Sequence, residues 1–194
     1  MSHREDILNN IGKSRKENPV ALIDFEHKSE NANNVETFYQ SLGVANAVHI
    51  EFSDFAEAAK IIHDEYQEFT NCVNTVEGLD INSLEVSEGT DPKTLHPLDL
   101  AIIKGEFGVA ENGAIWVNTG ELPLRIIPFI CESLVIVLNK NNIVADMHKA
   151  YERTNDLDYG FGAFIAGPSK TADIEQTLVV GAQGPRKMLV LIQK

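Results

Sequence analysis

The chain has 194 residues, enough for one ordinary globular domain with a sizeable buried core. Lys and Arg total 16 against 29 Asp and Glu, and the formal net charge of -13 repels the phosphates of DNA, RNA and anionic lipid. We therefore expect no nucleic-acid binding. No stretch approaches the roughly 20 apolar residues that span a bilayer, and the first residues lack the apolar core of a signal peptide. These features predict no membrane insertion and a cytoplasmic location.

The first predicted element is a helix within residues 4–16. Ile7, Leu8 and Ile11 recur at helical spacing and form a narrow apolar stripe. A polar connection containing a proline follows, so we divide the chain into an N-terminal helix at 1–20 and a single α/β domain at 21–194. We expect the stripe to dock either on its own domain or on a neighbouring subunit, and the second alternative implies a homo-oligomer.

Alternating elements follow this helix. The pattern predicts a helix over 34–42, a strand over 47–52, a helix over 53–69 capped by Ser53, and a short strand over 81–86. The predicted apolar face of the third helix contains Ala56, Ala59, Ile62 and Tyr66.

From residue 99 onward the density of apolar residues rises. The runs LAII, AIWV, LVIVL, FGAFIAG and MLVLIQ predict strands that are buried on both faces, as in parallel or mixed sheets covered by helices. Helical patterns over 141–154 and 169–180 fall between these strands. This alternation predicts an α/β fold with an open mixed sheet and flanking helices.

The stretch FIAGPSKTADIEQTLVVGAQGP, residues 164–185, contains two Gly-Pro dipeptides around a predicted helix. We expect Gly167 and Pro168 to end a strand and Ser169 to cap the helix. A helix that begins at the carboxyl end of a buried strand presents free N–H groups and a positive dipole end, which bind phosphate or carboxylate. The alternative is an ordinary helix start, in which Asp173 complements the dipole and no ligand binds.

A second stretch, GEFGVAENGAIWVNTG, places Glu111 at a glycine-rich bend between two strands. A carboxylate at such a bend can approach a ligand closely and act as a base, an orienting acceptor or a nucleophile, and the sequence does not separate these roles. The alternative is a hairpin in which Asn112 and Gly113 form a type I′ turn and Glu111 is solvated.

The sequence contains no cysteine or histidine pattern that is typical of a metal or iron-sulfur site. Cys72 and Cys131 are the two cysteines, they are far apart, and they form no C-x-x-C pair. The six histidines show neither H-x-x-x-H nor H-E-x-x-H spacing. We therefore predict no metal site and no cofactor in this chain, and we interpret Cys131 as a buried thiol.

In this order and spacing, GVAENGAIWV, RIIPF, GPSKTADIE and GAQGP resemble the LUD domain of the lactate utilization protein C family. The resemblance is strongest over 98–193, and the opening R-x-x-I-L-x-x-I is also similar to the start of that family. The resemblance implies a Rossmann-like α/β fold similar to that of sugar-phosphate isomerases, coenzyme A transferases and formyltetrahydrofolate cyclo-ligases.

The resemblance also implies a role in oxidising L-lactate to pyruvate. In that role the chain is a non-redox subunit, and iron-sulfur clusters are expected only in partner subunits. The family's acidic bend falls on Glu111, which is the candidate catalytic residue. The candidate ligand-binding or anion-binding residues are Gly113, Gly167, Ser169, Lys170, Thr171, Asp173, Gln183 and Gly184.

Three positions depart from the family pattern. Asn112 and Ala114 stand where the bend commonly has threonines, Gln183 stands where many members have histidine, and the usual histidine near Cys131 is absent. Histidine acid/base chemistry is therefore not available at those positions. The sequence leaves three functions open. The chain is a non-redox subunit that binds its partners and a small anion, or a stand-alone isomerase, transferase or ligase acting on a phosphate, nucleotide or thioester, or a homo-oligomeric scaffold without chemistry of its own.

Overall fold

A computed structural model describes residues 3–14, 33–67, 69–155, 160–172, 178–181 and 184–194. The helices are α1 (His3–Ser14), α2 (Asn34–Val44), α3 (Phe55–Glu65), α4 (Ile127–Ile130) and α5 (Met147–Asn155). The strands are β1 (Val48–Phe52), β2 (Cys72–Asn74), β3 (Leu98–Lys104), β4 (Phe107–Val109), β5 (Ile115–Asn118), β6 (Cys131–Asn139), β7 (Ile143–Val144), β8 (Gly162–Ile165), β9 (Lys170–Ala172), β10 (Leu178–Val180) and β11 (Lys187–Gln193).

The central sheet has five strands in the order β1-β11-β6-β3-β2, and every neighbouring pair is parallel. Successive side chains of a strand point to opposite faces, so each strand contributes to two cores. One core, which includes Ile103, Leu134 and Ile136, packs against α2, and the other, which includes Ile102 and Val135, packs against α3. The predicted α/β fold is confirmed, and β3, β6 and β11 are buried on both faces as predicted. Strand β8, within the run FGAFIAG, is only half-buried.

A second sheet, in the order β7-β4-β5-β8, packs on the α2 side of the central sheet. It is mixed, because β4 is parallel to β7 whereas β4–β5 and β5–β8 are antiparallel. Close packing requires glycine at Gly108, where a Cβ atom would lie 2.7 Å from Phe38 of α2. On its other face, Phe107 and Trp116 pack with Ala150 of α5.

The start of α3 differs from the prediction by one residue. Asp54, not Ser53, is the cap, and its carboxylate accepts a hydrogen bond of 2.8 Å from the Glu57 N–H. Ser53 instead donates its backbone N–H to the Glu57 carboxylate at 2.8 Å, which completes a reciprocal cap. The shifted register buries Ala58 together with Ile62 and leaves Ala56 exposed.

Two other elements of the structure differ from the prediction. Residues 81–86 form no strand, although Ile81 is buried. The helix predicted over 141–154 begins only at Met147, because Ile143 and Val144 pair with β4 as β7.

In α1 the predicted apolar stripe faces solvent. None of the helices in the described parts of the chain is long and apolar enough to cross a membrane.

Candidate functional site

The two Gly-Pro segments meet directly. The Ser169 N–H donates a 2.8 Å hydrogen bond to the Pro185 carbonyl, and the Gly181 N–H donates one of 3.1 Å to the Ser169 carbonyl. Gly184 also lies against Ser169, since a Cβ atom on this glycine would lie 3.2 Å from the Ser169 Cβ. The structure therefore brings together Ser169 and Gly184, two of the predicted site residues.

The helix predicted to begin at Ser169 is wrong. Residues 170–172 form β9, which pairs antiparallel with β10, so that Lys170 lies opposite Val180. The segment Thr177-Leu178-Val179-Val180 is rich in β-branched residues, which favour a strand, and the antiparallel partner is nearby in sequence. Because a strand and not a helix follows Ser169, a helix dipole does not attract an anion at this position.

The first Gly-Pro segment follows the carboxyl end of β8, as expected, but its place relative to the central sheet differs from the expected carboxyl edge. Pro185 and Arg186 immediately precede β11, and Leu98 and Cys131 begin β3 and β6. The Gly-Pro segments therefore lie at the amino-terminal edge of the parallel sheet, not at its carboxyl edge. A cleft of about 480 Å³, which we name the motif cleft, opens there and is lined by His96, Phe129, Glu132, Gly181, Gly184 and Arg186, among others.

Arg186 is the cation of the motif cleft. Its backbone N–H donates to the Glu132 carbonyl at 2.8 Å, and its guanidinium lies 3.6 Å from the Glu132 carboxylate. The two side chains are 66% and 60% exposed, and exposed ion pairs contribute little to stability. The guanidinium can therefore exchange this partner for another carboxylate or a phosphate in the cleft. A neighbouring cleft of about 460 Å³ shares Glu132 and adds Lys187.

The cysteine at the base of the motif cleft is not a nucleophile. Cys131 is buried, its sulfur lies 3.7 Å from the Pro128 carbonyl oxygen, and burial raises the pKa of its thiol to about 12. Burial likewise raises the pKa of Cys72 to about 12. Both thiols are protonated near neutral pH, which agrees with the interpretation of Cys131 as a buried thiol.

Glu111 contacts a helix. Its Oε2 accepts a 3.0 Å hydrogen bond from the N–H of Met147, the first residue of α5. A carboxylate at a helix N-terminus satisfies an unpaired N–H and complements the dipole. The predicted hairpin is present between β4 and β5, but its turn is not type I′, because Gly113 has a positive φ of 71° and Asn112 does not.

Two of the predicted site glycines lie where one backbone segment packs closely against another. Both Gly113, at φ 71°, and Gly167, at φ 77°, press against α2 and the residue that follows it. A Cβ atom on Gly113 would lie 2.9 Å from the Ser41 carbonyl carbon, and one on Gly167 would overlap the Ala45 carbonyl oxygen. The register of β5 and β8, which pairs Ile115 with Ile165, places both glycine turns at the same end of the second sheet.

Ser41 is a site residue that sequence reasoning missed. Its hydroxyl donates a 2.7 Å hydrogen bond to the Ala110 carbonyl, which ties the acidic bend to α2. A serine inside a helical pattern gives no signal of this kind, because its partner lies 69 residues away. The one hint is the run of small residues Ser41, Gly43 and Ala45 at the end of α2.

The remaining predicted site residues are placed as follows. Lys170 is exposed in β9, and the backbone of Thr171 belongs to the same strand. Asp173 and Gln183 lie outside the described residues. Within the parts of the chain that the structure describes, no three His, Cys, Asp or Glu side chains gather in a way that could hold a metal ion.

The fold and this site define an α/β protein with a Rossmann-like parallel sheet, whose glycine-rich turns surround a cleft at the amino-terminal edge. The sequence profile of the LUD domain matches residues 37–192. The chain belongs to the LUD domain family.

Similarity to individual proteins agrees with this family. Lactate utilization protein C from Bacillus pumilus is 31% identical over 98 residues, which cover 47% of this chain and 41% of that protein. Lactate utilization protein C from Oceanobacillus iheyensis is 27% identical over 124 residues, which cover 60% of this chain and 53% of that protein. The matches thus span about half the length of these curated relatives. Among solved structures, a DUF162 family protein from Deinococcus radiodurans shares the fold, with a TM-score of 0.58, 15% identity and coverage of 83% of this chain and 96% of its own.

Proposed function

We propose that the chain is a non-redox subunit of a lactate utilization system and that it binds a partner subunit through the motif cleft. Membership of the LUD domain family and the similarity to proteins named lactate utilization protein C support the first part. The chain contains two cysteines, fewer than the four thiolates that a typical iron-sulfur cluster uses. In this proposal the clusters that accept electrons from L-lactate belong to the partners.

The meeting of the two Gly-Pro segments beside Arg186 carries the second part of the proposal. Backbone hydrogen bonds through Ser169 hold the segments together, so the wall of the cleft is preorganised. The cleft presents an exposed aromatic ring, Phe129, next to a guanidinium that is only weakly paired. Aromatic and arginine side chains are typical of protein interfaces, and the guanidinium selects a carboxylate. A partner segment with an acidic side chain satisfies both groups, and a free carboxylate anion would satisfy Arg186 alone.

The function is tested by anaerobic affinity purification of the tagged protein from its host. We expect cluster-bearing partners with a brown absorbance spectrum and L-lactate-dependent electron transfer in the eluate. A colourless protein that purifies alone under these conditions would contradict the proposal.

The role of the motif cleft is tested separately with the charge variant Arg186→Gln. We expect this variant to lose most of the partner, because the buried carboxylate of the partner would lack its counter-charge. The matched control is Lys60→Gln, which removes a cation from the exposed face of α3 and should retain the partner. Equal partner recovery with both variants would move the interface away from the motif cleft while leaving the subunit role intact.

The geometry gives less support to a stand-alone enzyme. That alternative needs Glu111 as an acid or base and a helix start at Ser169. Glu111 is bonded to the N-terminus of α5, and Ser169 precedes a strand. We therefore keep the subunit role as the proposed function.

A further inference from the structure

Helix α1 has an apolar stripe that contacts no core. Ile7, Leu8 and Ile11 are 55%, 50% and 58% exposed, and none of them belongs to a hydrophobic cluster of the described residues. The helix has 12 residues, and isolated helices shorter than about 12–15 residues are marginal in water because tertiary packing supplies most helical stability. Burial of the stripe on another surface would therefore stabilise α1.

The domain has a second exposed apolar surface, and this one is concave. A groove of about 450 Å³, which we name the loop groove, lies along residues 119–126 and is lined by Pro92, Leu122, Leu124 and Ile126, with Glu88 and Arg125 also on its wall. Leu122 and Leu124 pack against the core beneath, so the floor of the groove is held in place. Ile126 is itself among the exposed large apolar side chains.

The loop groove and α1 each carry charges of both signs. The loop groove carries one carboxylate, Glu88, and one guanidinium, Arg125, and neither makes an ion pair with a described residue. The first turn of α1 contains Arg4, Glu5 and Asp6, and its last turn contains Lys13. A helix docked in the groove can therefore offer a carboxylate to Arg125 and an ammonium or guanidinium group to Glu88.

The chain connection allows α1 to reach the groove of its own domain. Eighteen residues, 15–32, separate α1 from the first described residue before α2. A fully extended segment of that length spans roughly 60 Å, whereas a compact domain of this size has a radius of gyration of roughly 16 Å. Because α1 and the groove belong to one chain, α1 meets the groove at an effective concentration on the order of 1 mM, well above the concentration of a second copy in a dilute solution.

We propose that α1 docks in the loop groove of its own chain, with Ile7, Leu8 and Ile11 directed inward. The groove is a binding site for an amphipathic helix, recognised through apolar side chains at i, i+1 and i+4 and through the charges of Glu88 and Arg125. This inference is independent of the motif cleft and of the role in lactate utilization.

A disulfide cross-link between α1 and the groove tests the proposal. The variant Leu8→Cys/Ile126→Cys changes two exposed positions, so the fold is retained, and the native Cys72 and Cys131 are buried and do not compete. Under mild oxidation we expect an intramolecular disulfide, seen as a faster band on a non-reducing gel, at a rate that does not depend on protein concentration. Leu8→Cys/Tyr151→Cys places the second thiol at an exposed position outside the groove and should cross-link far more slowly.

Two outcomes of this experiment would overturn the proposal. Equal cross-linking of both pairs would mean that α1 has no preferred position. Disulfide-linked dimers whose yield rises with protein concentration would mean that α1 binds a second copy.

A remote substitution gives a second test. We expect the amide hydrogens of α1 to exchange about tenfold more slowly than those of a free helix. This factor is the ratio of an effective concentration of about 1 mM to a dissociation constant of about 0.1 mM for the docked helix. Ile126→Asp should abolish this protection, whereas Tyr151→Asp, which adds the same charge elsewhere, should leave it unchanged. Equal protection of α1 in both variants would contradict docking in the loop groove.

Discussion

The central sheet and the edge where the two Gly-Pro segments lie are specified by different features of the sequence. Strands β3, β6 and β11 bury continuous runs of apolar side chains on both faces, and those runs predict the strands correctly. At the edge, Gly113 and Gly167 matter because they lack side chains and let turns press against α2 and its end. A buried side chain reveals its environment through its own chemistry, whereas a glycine does not reveal which backbone it approaches. Four substitutions test this contrast.

The largest effect is expected in the central sheet. Ile136 is fully buried in β6, the middle strand of the five. Ile136→Ala should lower the free energy of unfolding by about 4 kcal/mol, since it removes buried methyl groups and leaves a cavity. Urea denaturation measures this loss. Val48→Ala, on the exposed start of the edge strand β1, is the control and should change stability little. Similar values for both would mean that the sheet interior repacks freely.

The next effect is expected at a glycine that contacts the end of α2. Gly167→Ala should cost about 3 kcal/mol of folding stability, because a Cβ atom would overlap the Ala45 carbonyl oxygen and φ is 77°. Gly43 lies inside α2, and a Cβ atom placed on it would have no neighbouring atom within 4 Å. Gly43→Ala should therefore raise stability by about 0.5–1 kcal/mol. If both substitutions are stabilising, the turn at Gly167 does not depend on close approach to Ala45.

A smaller effect is expected for the hydrogen bond between α2 and the acidic bend. Ser41→Ala removes the hydroxyl that donates to the Ala110 carbonyl and should lower stability by about 1 kcal/mol. Ser83→Ala, in an exposed loop, is the matched control. Indistinguishable denaturation midpoints for the two variants would show that the bend is held by packing alone.

The smallest effect is a dependence on pH at the far end of the sheet. Glu51 Oε1 accepts hydrogen bonds of 2.6 Å from both Lys140 Nζ and Tyr39 Oη, and these bonds lower the pKa of the Glu51 carboxyl. A lowered pKa contributes stability that is present above the ordinary glutamate pKa and is lost as pH falls through the folded value.

This pH dependence is measured by denaturation of the wild type and of Glu51→Gln. We expect the difference in stability between them to be largest near pH 7 and to shrink below about pH 4. Glu85→Gln, in an exposed loop, is the control and should show no such trend. A difference that stays constant with pH would rule out ionisation of Glu51 as its source.

The sequence predicts features that depend on local composition. The apolar runs predict the strands of the central sheet, and the bend at Glu111 predicts a hairpin. Local composition predicts the wrong secondary structure where pairing with another strand determines the conformation of a segment. Ile143 and Val144 satisfy a helical pattern but pair with β4, and residues 170–172 follow a plausible cap at Ser169 but pair with β10.

The candidate site is predictable to a smaller extent. The motifs indicate that Ser169 and the second Gly-Pro turn belong to one site, and the structure places them in hydrogen-bond contact. Their position at the amino-terminal edge follows from where β11 enters the sheet, which no local pattern encodes. The partner of Glu111 is a backbone N–H 36 residues away, and any residue type except proline at Met147 would provide it.

The pairing of β1 with β11 constrains the order of folding during synthesis. Val48 lies opposite Leu189, so β1 must wait for a neighbour made more than a hundred residues later, and β11 in turn lies between β1 and β6. Contacts of such long sequence separation form slowly, because the chain entropy is lost before the contact forms. On the ribosome, β1 and the inner edge of β6 therefore expose unpaired backbone until residues 187–193 emerge, and this interval is when a chaperone would be of most use.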